Sequence, residues 1–275
     1  MFSPVLALAG ILTPYESKKL PSTAAQMLFF LTVLAAARLG WWQVLDKNGW
    51  EWQEKAGDTQ SMLGSLTAIV HSTCLLLPVL TLLLTHPTKK PSASISESSG
   101  IWNWKAWTMI SWCQAYMIQD MLWILKATYD PTTMSVNPTS EDIMFLAHHV
   151  ATTFYMATAK AIGAGHYSAM ALMFFGEVTN PAHNSYEVVK IALKLHPGPR
   201  LKIALPILGK VFAASYGLVR IVLGPVITIW LLYDLLLTKQ GRKKVGWVGL
   251  LWSIMVVAVM HGSMGFAFDY ALKAW

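Results

Sequence analysis

The apolar positions of this chain run in long blocks, and seven of these are predicted to be helices lying in a membrane: residues 23–45, 61–85, 104–125, 143–162, 166–178, 205–237 and 246–272. An α-helix needs ~20 consecutive apolar residues to cross the hydrocarbon, and most of the blocks meet that length. Strand-like alternation broken by frequent turns, the mark of an outer-membrane barrel, is absent. The pattern predicts an all-α, polytopic membrane protein with about seven transmembrane helices. The fifth block is the weakest, because its apolar core of ~13 residues is too short to span unaided. It lengthens only by burying Glu177 and Asn180 within the bundle. The sixth is longer than a crossing requires and holds Gly224-Pro225, which predicts a kink or a strong tilt.

Polar residues recur inside these blocks at membrane depth. The second holds His71 and Ser72, the third Tyr116 and Asp120, and the fourth the adjacent pair His148 and His149. The fifth ends in Glu177, Thr179, Asn180 and Asn184. Titratable groups are costly in hydrocarbon, so they face a bundle interior or a wet cavity. Tyr116 and Asp120 are four apart and share a helix face, as do His148 with Thr152 and His149 with Thr153. The two histidines themselves diverge by ~100°, so at most one points straight into a given cavity.

Taken singly, each of these residues is explained by hydrogen bonding between helices. Four helices contributing imidazoles and carboxylates together point instead to a shared site. A histidine beside a carboxylate is the basic unit of proton transfer and nucleophilic chemistry, since the acid fixes the imidazole tautomer and steadies its charged form. In a membrane such a unit activates a lipid amine or hydroxyl, carries an acyl group on an imidazole, or simply binds a headgroup.

Composition sharpens the class. Of 275 residues, 55% are hydrophobic and 13% charged, and the mean hydropathy is +0.45, which excludes an ordinary soluble domain. The net charge of +7 lies in loops. It is read as orientation and attraction to anionic headgroups, and no nucleic-acid partner is expected. Basic clusters stand at Lys18-Lys19, Lys89-Lys90, residues 190–202 and residues 242–244. With seven crossings the third falls on the side opposite the others, which leaves the topology open.

Cys74 and Cys113 both lie in apolar blocks, so no disulfide framework is expected. The apolar run 4–12 has no basic stretch before it and is not read as a signal peptide. The connection 86–99, rich in Ser and Lys, has the composition of a flexible linker. The connection 128–141, with Asp130-Pro131 and Asn137-Pro138, reads either as turn-rich and ordered or as disordered. Tryptophans at 41, 42, 50, 52, 102, 104 and 107 flank the blocks and are read as aromatic belts at the headgroup level. Arg38 and Lys160 lie near block ends, where they are expected to snorkel, whereas Arg220 and His261 are within reach of a cavity. Asp234 and Asp269 carry no assignment. The eight histidines form no closely spaced boxes, so no metal and no resident cofactor are expected.

In order along the chain, His71-Ser72, Tyr116-x-x-x-Asp120, His148-His149 and Glu177-x-x-x-Pro181-x-x-Asn184 resemble the TLC-domain family of multispanning proteins. The family includes ceramide synthases, translocation-associated proteins and smaller TLC-domain-containing lipid regulators. The resemblance implies two parts: an N-terminal segment with the first helix, residues 1–59, and a TLC-like domain, residues 60–275. It also implies a ring of six helices around a lipid cavity, with the first helix outside. By carry-over from ceramide synthases, His148 or His149 would be base or acyl carrier, with Asp120 and Glu177 as partners. His71, Ser72, Tyr116, Thr152, Asn180 and Asn184 would line the lipid site. The chain departs from the ceramide-synthase pattern at Phe175-Gly176-Glu177-Val178-Thr179-Asn180, where a histidine-aspartate dipeptide and a further aspartate stand in that motif. The arrangement around Glu177, Pro181 and Asn184 resembles the smaller branch more closely.

Three functions follow as expectations. The first is a lipid-binding protein of the endoplasmic reticulum that influences membrane lipid composition. The second is an N-acyltransferase using acyl-CoA as co-substrate. The third is a cargo receptor or translocation partner in which the polar set is structural. Membrane lipid is the expected partner, and the oligomeric state is left open.

Overall fold

The structure is a computed structural model that describes residues 23–49 and 56–274. The apolar run 4–12, Lys18-Lys19, Trp50, Trp52 and Trp275 lie outside the described residues, as does the side chain of Asp269.

The chain is all-α and membrane-embedded. Among the described residues ten α-helices carry it: α1 (Thr23–Lys47), α2 (Ala56–Thr85), α3 (Gly100–Ala127), α4 (Ser140–Ile162), α5 (His166–Glu177), α6 (Asn180–Leu195), α7 (Pro199–Gly217), α8 (Gly224–Leu232), α9 (Lys239–Val245) and α10 (Val248–Ala274). Four stretches among the described residues are long and apolar enough to cross a membrane: Ala24–Lys47, Asp58–Thr85, Pro199–Leu237 and Val248–Phe268. α3 and α4 are also long, at 28 and 23 residues, but their interior faces carry Gln114, Gln119, Asp120, His148, His149 and Lys160.

The packing order closes a circuit. α2 packs on α3, α3 on α4, α4 on α10, α10 on α7, α7 on α6, and α6 returns to α2. α5 touches α2, α3 and α4, while α1 lies against the outside of α2 and α3. Buried side chains of α2, α3, α4, α5, α8 and α10 form one apolar cluster, including Leu75, Ile110, Met156, Met170, Leu231 and Trp252.

Two irregularities position the polar groups. α5 has only 12 residues, ~18 Å at 1.5 Å per residue, and cannot cross alone. Val178 and Thr179 nevertheless stay in the right-handed helical region before α6 begins. Pro181 stands at the start of α6 and has no N–H to offer the Glu177 carbonyl four residues back, so the ladder breaks beside Glu177. The long stretch from Pro199 to Leu237 is interrupted by two π-helical segments, Leu218–Leu223 and Tyr233–Leu237. The first ends at Gly224-Pro225, where the proline again removes a donor.

The connection 86–99 is an ordered strap, contrary to the linker its composition suggested. Ser92 N–H donates to Asp234 Oδ2 at 2.7 Å, Ile95 N–H to the Gly163 carbonyl at 2.9 Å, and Gly165 N–H to the Ala93 carbonyl at 3.0 Å. Ser92 and Ala93 are buried, and a short 3-10 turn, Ile95–Glu97, leads into the Ser99 cap of α3. Of the two readings left open for 128–141, the ordered one holds. Tyr129–Asp130 pairs antiparallel with Ser135–Val136, and Thr139 with Asp142 forms a capping box that starts α4.

Three side-chain expectations are corrected. Trp102 and Trp107 are buried, with Trp102 Nε1 donating to the Leu82 carbonyl at 3.0 Å, so they are core rather than belt. Arg38 does not snorkel: it is buried, donates to Gln60 Oε1 at 3.0 Å and lies over the Trp123 ring at 4.2 Å. Lys160 is fully buried, donates to Ser111 Oγ at 2.7 Å and stands 5.3 Å from the Trp107 ring centroid. In both cases a hydrogen bond and an aromatic face replace the water that snorkelling would reach.

Candidate functional site

The polar residues of four helices meet. On α3, Cys113, Tyr116, Met117 and Asp120 fall at i, i+3, i+4 and i+7, so one face of the helix presents them all. His149 of α4 donates from Nε2 to Asp120 Oδ2 at 2.8 Å. The ring of Tyr116 lies between the two histidines, edge-on to His149 at 6.4 Å and stacked on His71 of α2 at 3.9 Å. His71 Nε2 is 3.7 Å from Glu177 Oε2 at the end of α5. Asn180 Nδ2 then donates to Glu177 Oε2 at 2.8 Å, and Asn184 Nδ2 to the Asn180 carbonyl at 2.9 Å. Ser72 is buried with its hydroxyl turned to the Ala68 carbonyl of its own helix. His71, Glu177 and His149 are all nearly inaccessible to solvent.

The adjacent histidines divide as helical geometry requires. His149 turns into the protein toward Asp120, whereas His148 lines a cavity of about 80 Å³ with Thr152, Glu177 and Arg220. A single water needs ~10–15 Å³ on that measure, so the space admits several waters or the end of an acyl chain. Its wall is largely apolar, with Met117, Met156, Met173, Met255 and Val256 among the lining residues. Methionine is unbranched and adapts to irregular occupants.

The first π segment of the Pro199–Leu237 stretch places Arg220 at this cavity, where Nη2 donates to the Gly176 carbonyl at 3.0 Å. His261 instead lies on an exposed part of α10, away from the cavity. Asp234 is spent on the 86–99 strap. Sequence reasoning left Cys113 without a function, although it is buried and lines the cavity. Its place three residues before Tyr116 and seven before Asp120 on one helix face was the available signal.

The set thus falls into two layers. Asp120, His149, Tyr116, His71, Glu177, Asn180 and Asn184 form a contiguous polar seam through the bundle. His148, Thr152, Glu177 and Arg220 face the open space beside it, and Glu177 belongs to both.

Residues 60–267 match the TLC domain. The chain therefore belongs to the TLC domain family, a family of membrane proteins. It is also similar to a TLC domain-containing protein of Arabidopsis thaliana, with 29% identity over 120 residues. That stretch covers 43% of this chain and 42% of the plant protein. No solved structure matches the chain.

Proposed function

We propose that this protein holds the acyl portion of a membrane lipid in the cavity beside His148 and thereby influences membrane lipid composition. The observation that carries the reading is the cavity itself, which opens among apolar Met and Val side chains and gathers polar groups at His148, Thr152, Glu177 and Arg220. Such a pocket suits an acyl chain in the apolar part and an oxygen-bearing head at the polar groups. The endoplasmic reticulum is assigned on the family resemblance alone.

The test is photo-crosslinking of the purified full-length protein with diazirine-bearing fatty-acyl lipids, followed by peptide mapping. Label on peptides from α4, α5 and α10, competed by unlabelled lipid and reduced in Val259→Trp, supports the reading. Label spread evenly over outward faces refutes it.

One observation favours a second reading, acyl transfer: His148, a candidate base, shares its cavity with the carboxylate of Glu177 and the guanidinium of Arg220. In that reaction His148 removes a proton from a lipid amine, and the amine nitrogen attacks the thioester carbonyl of acyl-CoA. The C–S bond then breaks, and the CoA thiolate takes the proton from His148. Incubation with labelled acyl-CoA and long-chain amines in nanodiscs separates the two. Amide product lost in His148→Ala indicates transfer, and crosslinking without product indicates binding.

A further inference from the structure

Beside the lipid cavity, three donors of different chemistry meet from three helices. His71 of α2, Cys113 of α3 and Glu177 of α5 are all buried, and one ligand atom from each lies within 4.8 Å of the other two. We propose that this trio binds a divalent transition metal of the zinc type, with a remaining coordination position open to the cavity.

The donor set fixes the class of ion. One imidazole nitrogen, one thiolate and one carboxylate oxygen suit zinc, whereas calcium and magnesium take oxygen donors. Bonds of ~2.0–2.3 Å in tetrahedral geometry place neighbouring ligand atoms ~3.3–3.8 Å apart. The existing 3.7 Å between His71 Nε2 and Glu177 Oε2 is already that separation. The remaining distances, all within 4.8 Å, need to close by at most ~1.5 Å, within the reach of side-chain rotation.

The second observation is that His71 is unsatisfied. It is 0% exposed, and neither ring nitrogen has a hydrogen-bond partner. An imidazole fully buried without a partner is costly, and a metal on Nε2 removes part of that cost. The site also has a supporting layer. Asn180 Nδ2 holds Glu177 Oε2 at 2.8 Å, the kind of outer hydrogen bond that orients a ligating carboxylate.

Charge balance favours the same ion. A dication with one thiolate and one carboxylate is neutral overall, so the complex resides in a membrane interior without the penalty of an isolated buried charge. Cys113 and Glu177 both line the cavity, so the position left by the three protein ligands faces the lipid space. Three ligands with one open position is the arrangement of metal centres that engage a water or a substrate oxygen. The site leaves no short-spaced motif in the sequence because it uses a single histidine and draws each ligand from a different helix.

The test uses tag-free, full-length protein purified in detergent. Elemental analysis after dialysis against metal-free buffer is expected to find stoichiometric zinc. Exchange for cobalt(II) is expected to give a thiolate-to-cobalt charge-transfer band and the strong visible bands of a tetrahedral site. Cys113→Ser, nearly isosteric, abolishes the charge-transfer band, and Glu177→Gln weakens metal binding by at least about tenfold. Helicity and elution volume of each variant establish that it is folded. His148→Ala, which strikes the lipid site and none of the three ligands, keeps its metal, so failure here is distinguishable from failure of the lipid reading. Wild-type protein without zinc that also takes up no cobalt overturns the proposal. So does a Cys113→Ser protein whose cobalt spectrum is unchanged.

Discussion

His149 Nε2 donates to Asp120 Oδ2 at 2.8 Å, joining α4 to α3 at one end of the polar seam. His149 is nearly inaccessible and Asp120 partly exposed, so removing either leaves a group in the interior without its partner. His149→Ala and Asp120→Ala are each expected to destabilise the protein by about 1–3 kcal/mol. The double variant should cost clearly less than the sum, because the second change removes a group already orphaned. Chemical denaturation of the four proteins in one detergent gives the cycle. Strict additivity would show that the pair does not interact.

The 86–99 strap depends on Asp234. Its carboxylate accepts the Ser92 N–H at 2.7 Å and sits on the π-helical turn Tyr233–Leu237. Asp234→Ala leaves a buried amide unpaired, a loss of about 1–3 kcal/mol concentrated on the strap. Lys89 is exposed beside it, so trypsin cleavage after Lys89 should accelerate at least about tenfold under native conditions. Cleavage at the wild-type rate would mean that other bonds hold the strap.

Gly165 is a steric requirement. Its φ of +81 is in the left-handed region, and an added Cβ would stand 2.6 Å from the Trp252 ring. Gly165→Ala therefore combines backbone strain of ~1–2 kcal/mol with overpacking of ~1–3 kcal/mol. A thermal shift assay should place it well below wild type, whereas Gly198→Ala, with open space at its Cβ, should change little.

The 129–136 hairpin responds to acid through Asp130. Hydrogen bonds from the Thr132 hydroxyl and N–H and from the Thr133 hydroxyl hold its carboxyl at about 2. The ordinary value is ~3.9, so the ionised form is favoured in the folded hairpin. The contribution of this group is present above pH ~4 and is lost as pH falls toward 2. Protection of the hairpin amides, corrected for the intrinsic pH dependence of exchange, should fall over that window, and Asp130→Asn should abolish the change in protection. A hairpin equally protected at both ends of the window would refute the assignment.

The apolar helices were legible because long apolar blocks have few alternatives in a membrane, whereas α6 and α9, rich in polar and basic residues, lie outside every block, although α6 helps to close the circuit. The face shared by Tyr116 and Asp120, and the divergence of His148 from His149, were likewise legible from helical angle alone. The strap was not, since its serines and lysines give no sign that the Ser92 N–H meets a carboxylate 142 positions away. Arg38 and Lys160 were misplaced for a related reason: proximity to a block end does not reveal whether a neighbouring helix covers the side chain. Cys113 gained meaning only when α2 and α5 brought His71 and Glu177 beside it.

The two π-helical turns in the long stretch from Pro199 to Leu237 change what an insertion or deletion would do there. A widened turn takes up one residue more than a regular turn, so losing that residue restores ordinary α-helix with the flanking segments facing as before, whereas a single-residue loss from the regular helix rotates everything beyond it by ~100°. A one-residue gap at either widened turn is thus tolerated, while the same gap between them, in α8, would swing Asp234 off the strap. A relative one residue shorter in this stretch is expected to have lost a widened turn and kept the aim of its C-terminal half.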